Sequence, residues 1–307
     1  MTKEEIADWF KQLQNEICIS LERADGKEHF TEDIWERRGG GGGRSRVIQN
    51  GNIIEKGGVN FSAVHGELPE LLKKELFTKN SELQTANSFF ATGVSLVIHP
   101  LSPMIPIIHM NVRYFETSSG EKWFGGGIDL TPHYVNDEDA IFFHKSLKTV
   151  CDKFSPTYYP EFKKWADDYF FIKHRNETRG IGGIFFDHLA PSPLSHGRGD
   201  GGELFEFVKA VGNSFTPTYT HLIEKNKNKP YGENEKQWQM LRRGRYVEFN
   251  LVYDKGTKFG LETDGRTESI LMSLPPQANW KYNYSPSENS AEQQTLSKLT
   301  KGIEWGK

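Results

Sequence analysis

The stretch from residue 46 to residue 131 restricts the fold more than any other part of the chain. Strand patterns fall at 46–62, 89–99, 107–116 and 122–131, and the last three are separated by only a few residues each. A parallel crossover needs a dozen or more residues, so neighbours joined this tightly must run antiparallel. Further strand patterns lie at 181–187, 246–254 and 258–263. Helical patterns lie at 3–24, 137–153, 158–174, 202–227, 233–243 and 288–303. Grouped strands and grouped helices predict an α+β domain with a mostly antiparallel sheet, not βαβ units. No repeat and no composition boundary divides the chain, so a single domain over 1–307 is expected. The Gly/Pro-rich piece at 189–202 reads as a surface loop.

With 307 residues, 36% hydrophobic and 26% charged, the chain is long enough to bury a sizeable core. A net charge of −3 leaves no global basic footprint for nucleic acid. No run of apolar residues is long enough to span a membrane, and residues 1–20 lack the apolar core of a signal peptide. The N-terminal segment is instead an amphipathic helix, with Ile6, Phe10, Leu13, Ile17 and Leu21 at three-to-four spacing. Cys18 and Cys151 fall in helical patterns without ligand spacing and are expected to be buried thiols in a reducing compartment. A cytoplasmic location follows as the expectation.

The segment Trp35–Gly51, WERRGGGGGRSRVIQNG, is the most unusual in composition. It lacks the Lys-Ser/Thr of a Walker loop, it does not repeat as an RGG arm would, and it separates no two compositions. It reads as a flexible, arginine-flanked loop entering a strand, followed by a hairpin with an Asn50-Gly51 turn. Arg37, Arg38, Arg44 and Arg46, together with Lys173, Arg175, Arg179 and Arg266, form a candidate cationic rim for an anionic ligand. Nothing in the residues themselves chooses phosphate over carboxylate.

Alternate residues of a strand share a face. In IIHMNVRYFE, His109, Asn111 and Arg113 oppose Ile108, Met110, Val112 and Tyr114. In YVEFNLVYD, Tyr246, Glu248, Asn250 and Asp254 oppose Val247, Phe249, Leu251 and Tyr253, and Ser95 shares a face with His99. Any one of these polar combs could be an ordinary solvent face. Together they are short of lysine and contain His, Asn, Arg and Asp, which points to a polar cleft floored by the sheet. His99, His109, His144 and His174 are conceivable metal ligands, although no HxH or HExxH spacing joins them.

Seven ordered segments, WERRGGGGGRSRVIQNG, GVNFSAVHGE, ATGVSLVIHP, HMNVRYFE, WFGGGIDLTPHY, FFIKHRNETRGIGGIFFDHL and GRYVEFNLVYDKGTKFGLETDGRTESILMSLPP, closely resemble the oxygen-dependent coproporphyrinogen III oxidases of haem biosynthesis. The resemblance runs from about residue 5 to 284. It implies a large, rather flat antiparallel sheet covered by helices on both faces, and a homodimer in which about 246–280 forms the dimerisation region. It implies an oxidoreductase that uses O2 to convert the ring A and B propionates of coproporphyrinogen III to vinyls, releasing protoporphyrinogen IX, CO2 and H2O2. No haem, flavin or nicotinamide is implied.

Matched position by position, Ser95, Asn111, Val112, Arg113, Asp264, Gly265 and Arg266 stand where the family binds substrate, and His109 where it has a proposed proton donor. Asp254 matches a carboxylate thought to hold the pyrrole N–H groups. His99, His109, His144 and His174 match suggested ligands of a divalent metal cation, the one cofactor the resemblance leaves open. Two positions depart from the family pattern: Lys255 replaces a common arginine, and Asp264 a small neutral residue. Asp264 is therefore expected to act through its backbone. The same groups would also serve a non-catalytic tetrapyrrole- or anion-binding module.

Overall fold

Thr2 opens the first helix: its hydroxyl accepts from the Glu5 N–H, and the Glu5 carboxylate accepts from the Thr2 N–H. This capping box supports α1 (Lys3–Asp25), whose Ile6, Phe10, Leu13, Ile17 and Leu21 are all buried, as their spacing predicts. Gly26 ends it in the left-handed conformation, φ 72°. The structure is a computed structural model that describes residues 1–68, 73, 86–190, 201–262 and 265–307. Most of the predicted 189–202 loop, and Asp264, lie outside the described residues.

Seven strands form one antiparallel sheet: β1 (Thr31–Glu36), β2 (Gly41–Gln49), β3 (Ile54–Glu67), β4 (Ser88–Pro100), β5 (Ile107–Thr117), β6 (Lys122–Thr131) and β9 (Gly182–Leu189), in that spatial order. Helices α2 (Asp137–Asp152) and α3 (Tyr158–Tyr169) and a small β7 (Phe171–Ile172)–β8 (Glu177–Thr178) hairpin separate β6 from β9. Then follow α4 (Gly201–Asn226), α5 (Glu233–Val252), α6 (Lys255–Glu262), α7 (Thr267–Leu271) and α8 (Ala291–Lys298). The α+β class and the antiparallel pairing are as expected.

One sheet face is the core. Val59, Leu96, Met110, Ile128 and Ile184 are successive cross-strand partners and all are buried, packed with side chains of α1, α2 and α4. The opposite face carries the polar residues of β4 and β5, and α5 to α7 cover part of it. On this second face Tyr246 packs with Val97 and Ile107, and the side chain of Met272 lies over Gly58.

Several expectations are corrected. The glycine run is sheet and turn, not a loose loop. Gly40 and Gly41 turn the chain with φ of 117° and 75°, and Gly41 to Gly43 are already in β2 between β1 and β3. A Cβ on Gly43 would sit 2.3 Å from the Trp35 ring, so the indole occupies the space that glycine leaves. The β2–β3 hairpin forms, but Asn50 and Gly51 are not its tip: Asn50, at φ 61°, donates to the Glu55 carbonyl and Gly51 to that of Ile54, which leaves Asn52 and Ile53 to make the turn.

The predicted strands at 246–254 and 258–263 are helical over 246–252, in α5, and over 258–262, in α6. The buried face of α5 includes Gln239, Arg242, Arg243 and Asn250, so polar residues break the apolar helical period and leave a short alternating run to mimic a strand. Gly244 is no helix stop: a Cβ there would lie 2.4 Å from the Asn279 carbonyl oxygen, where the C-terminal chain crosses α5. The helix predicted at 158–174 ends at Tyr169, and Lys173 to Asn176 form the turn of the β7–β8 hairpin.

Candidate active site

The polar face is built in rows. Ser45, Asn60, Ser95 and Asn111 are direct cross-strand partners on β2, β3, β4 and β5. The next row along runs Val97, His109, Asp129, and the row on the other side runs Ser62, Gly93, Arg113, Gly125. Ser95, Asn111, Arg113 and His109 therefore share one face, as alternation predicts, and all four are half-buried. Val112 does not join them. Its side chain points into the core and is fully buried, so it meets no ligand on this face.

Arg113 is held in the row by two contacts. One of its nitrogens donates to Asn111 Oδ1 at 3.0 Å, and another pairs with Asp187 Oδ1 at 3.0 Å. A Cβ on Gly125 would lie 2.6 Å from that Asp187 oxygen and 2.9 Å from Arg113 Nε, so glycine makes room for the pair. Burial alone would raise the Asp187 carboxyl, but bonds from His188 and the charge of Arg113 hold it well below the ordinary range. At the other end of the sheet, Arg266 reaches Asp33, Ser45 and Ser269 from the start of α7. A cavity of about 610 Å³ opens there, lined by Asp33, Ser45, Val47, Lys56, Arg266 and Met272 among others. Gly265 folds back to donate to the Gly260 carbonyl.

The strongest electrostatic feature was not read from the sequence. Asp129, 1% exposed, accepts from His109 Nδ1 at 2.7 Å through one oxygen and from Arg179 at 2.6 Å through the other. Burial would raise its carboxyl, but the Arg179 charge and the two hydrogen bonds hold it below the usual aspartate range. With Nδ1 committed to Asp129, the imidazole of His109 has Nε2 left for a ligand, and its side chain keeps 21% exposure. The legible signal was a lone acid between Ile128 and Leu130 in a buried strand, on the face that His109 shares. Arg179, expected on the cationic rim, is 3% exposed and points inward.

Asp254 is not at a strand end. It precedes α6, where Oδ2 accepts from the Thr257 N–H at 2.7 Å and Oδ1 from the Tyr169 hydroxyl at 2.9 Å. It remains half-buried, and a carboxylate with two acceptors used has further lone pairs to offer. Its predicted partners separate. Asn250 accepts from Arg179 at 2.9 Å. Glu248 binds His174, Arg175 and the Trp280 indole, which offset its burial and hold it down to about 2.

The four candidate metal ligands are not brought together. His99 is fully buried, with Nε2 on the Ser273 carbonyl at 2.8 Å, and burial, then Arg243, lowers it to about 3. His144 is buried on the core side of the sheet between Tyr159 and the Ile181 carbonyl, and burial lowers it to about 4. His174 lies at the surface between Tyr253 and Glu248. Among the described residues no three His, Cys, Asp or Glu side chains are placed to hold a metal. The histidines do not fit one centre.

Much of the expected arginine rim is bonded within the chain. Arg44 bonds Gln14 and Asn15 of α1, Arg46 binds Glu32, and Arg37 donates to the His65 carbonyl. Cys18 and Cys151 are unpaired and buried, which pushes both thiols up to about 12. No helix among the described residues is long and apolar enough to cross a membrane.

The family described as Coproporphyrinogen III oxidase matches residues 5–305. The oxygen-dependent coproporphyrinogen-III oxidase of Drosophila melanogaster is 51% identical over 302 residues, 96% of this chain and 76% of that protein. The chloroplastic enzyme of that name from Glycine max is 48% identical over 304 residues, covering 96% and 77%. The mitochondrial one from Homo sapiens is 51% identical over 302 residues, covering 96% and 65%. Matched along almost its whole length at about half identity, the chain belongs to the coproporphyrinogen III oxidase family.

Proposed function

We propose that the protein oxidatively decarboxylates the ring A and B propionates of coproporphyrinogen III to vinyls. For each propionate, the β-carbon loses a hydrogen, the carboxylate leaves as CO2, and O2 takes up the two electrons and two protons as H2O2. The observation that carries this reading is the placement of Arg113 and His109 on one face of β5, four residues and roughly 13 Å apart along the strand. That span gives a broad polycarboxylate an anchor at one end and a proton-transfer group at the other.

In this reading Arg113, positioned by Asn111 and Asp187, binds a propionate, with Ser95 and Arg266 as further contacts. Asp254 offers its remaining lone pairs to the pyrrole N–H groups from above the sheet. His109 moves a proton at Nε2, while Asp129 fixes its tautomer and orientation through Nδ1. The electron-rich macrocycle supplies the electrons to O2, and the protein contributes position, exclusion of water and charge placement. Incubation with coproporphyrinogen III under air, followed by fluorescence of oxidised protoporphyrin, tests the function. No protoporphyrin from folded protein would overturn it.

A homodimer is part of this proposal. The expected apolar comb is not one surface, because Phe249 is fully buried in its own protomer. Leu251, Val252, Leu261 and Trp280, each 45–54% exposed, offer a replacement within the same region. Leu251→Glu is expected to shift sedimentation toward monomer, and a wild type that sediments as a monomer would rule the dimer out. The proposed compartment is the cytoplasm, supported by the two unpaired cysteines; fractionation of source cells tests it.

A further inference from the structure

Arg179 lies outside the set of substrate contacts, yet it is among the most completely enclosed charges in the protein. Its guanidinium carbon stands 4.4, 4.6 and 4.7 Å from the ring centroids of Phe170, Tyr246 and Phe249. The rings come from the end of α3 and from α5, and they leave the planar cation little freedom to turn. From this cage it donates in two directions. One nitrogen meets Asp129 on the sheet floor at 2.6 Å, and the other meets Asn250 of α5 at 2.9 Å. Asn250 is four residues before Asp254, and Asp129 is the direct partner of His109.

We infer that Arg179 is a positioning residue that locks the His109–Asp129 pair on the sheet to the end of α5 that presents Asp254. A lysine could supply the charge but not two divergent donors from one rigid plane. A role in packing alone would need neither an acceptor on both elements nor a ring cage that selects one guanidinium orientation. The inference rests on the proposed role of His109 as the proton-transfer group.

The test is a double-mutant cycle of Arg179→Met and Asp129→Asn, with kcat and KM for coproporphyrinogen III measured on protein shown to be folded. Arg179→Met is expected to lower kcat by about 100-fold, the scale of one preorganised electrostatic group. KM should stay within about threefold, because Arg113 and its row are untouched. Arg179→Lys should fall between wild type and Arg179→Met. The double variant should be no slower than the slower single variant, since residues that act as a unit are not additive.

Losses that multiply to about 10⁴-fold in the double variant would overturn the inference. So would folded Arg179→Met with wild-type kcat. If Arg179→Met does not fold, Arg179→Lys and the double variant carry the test, since the double leaves no uncompensated buried charge. In that case the inference stands if the lysine lowers kcat at constant KM and the double matches Asp129→Asn, and falls otherwise. Wild-type turnover in the same assay reports separately on the proposed function.

Discussion

His109 and Asp129 stand directly opposite one another on β5 and β6, with Nδ1 and Oδ1 2.7 Å apart. The acid is buried and the imidazole is open at its other nitrogen, so the pair faces the ligand with one atom, His109 Nε2. His109→Gln keeps a polar side chain of similar reach but cannot shuttle a proton. Turnover is expected to drop by about 100-fold or more with little change in KM. Steady-state kinetics on the purified variant checks this, and unchanged kcat would remove His109 from the chemistry.

Asp254→Asn separates the cap from the carboxylate. Asparagine is as good an N-cap as aspartate, so α6 and the melting temperature should be preserved. The charge offered to the pyrrole N–H groups disappears, and turnover should fall by roughly 100-fold. A variant with native stability and native turnover would make Asp254 a helix cap and nothing more.

His144 lies on the core side of the sheet, bonded to Tyr159 and the Ile181 carbonyl. His144→Ala should lower thermal stability by about 2–4 kcal/mol through a buried cavity and an orphaned hydroxyl, leaving turnover per folded molecule near wild type. Elemental analysis run beside turnover decides the matter. Loss of a stoichiometric metal together with activity would restore His144 to a metal site.

Three buried histidines set an acid limit on stability. His99 and His144 are lowered to about 3 and about 4, and His133 well below its ordinary value, burial being the largest cause for each. All three are neutral in the fold but titrate near 6.5 once unfolded, so below pH 6.5 the unfolded chain binds more protons. Stability is therefore complete above pH 6.5 and falls as pH drops from there toward 4. Each histidine contributes a slope approaching about 1.4 kcal/mol per pH unit in that window. Urea midpoints measured between pH 7.5 and 5 check it; midpoints independent of pH would contradict the neutral assignment.

What could be read from the chain alone followed from backbone periodicity. The spacing of Ile6, Phe10, Leu13, Ile17 and Leu21 determined the buried stripe of α1, and Asn50-Gly51 marked the β2–β3 hairpin, although its tip is one pair further on, at Asn52 and Ile53. Alternation put His109, Asn111 and Arg113 on one face and Val112 among the opposing apolar residues, which the structure buries in the core. The ordered motifs identified the family. These features are local, so a few consecutive residues suffice to specify them.

Only the tertiary structure decided which polar groups became partners. Arg179 is drawn off the predicted rim because Asp129, 50 residues away, and Asn250, 71 away, together offset the cost of burying its charge. The same compensation lets α5 bury Gln239, Arg242, Arg243 and Asn250, which hid its helical period and made it read as a strand. The four histidines share a residue type but different burial and different partners, so sequence could group them and the fold separates them. Burial of a polar group is settled by acceptors and donors distant along the chain, and no local pattern encodes where those will be.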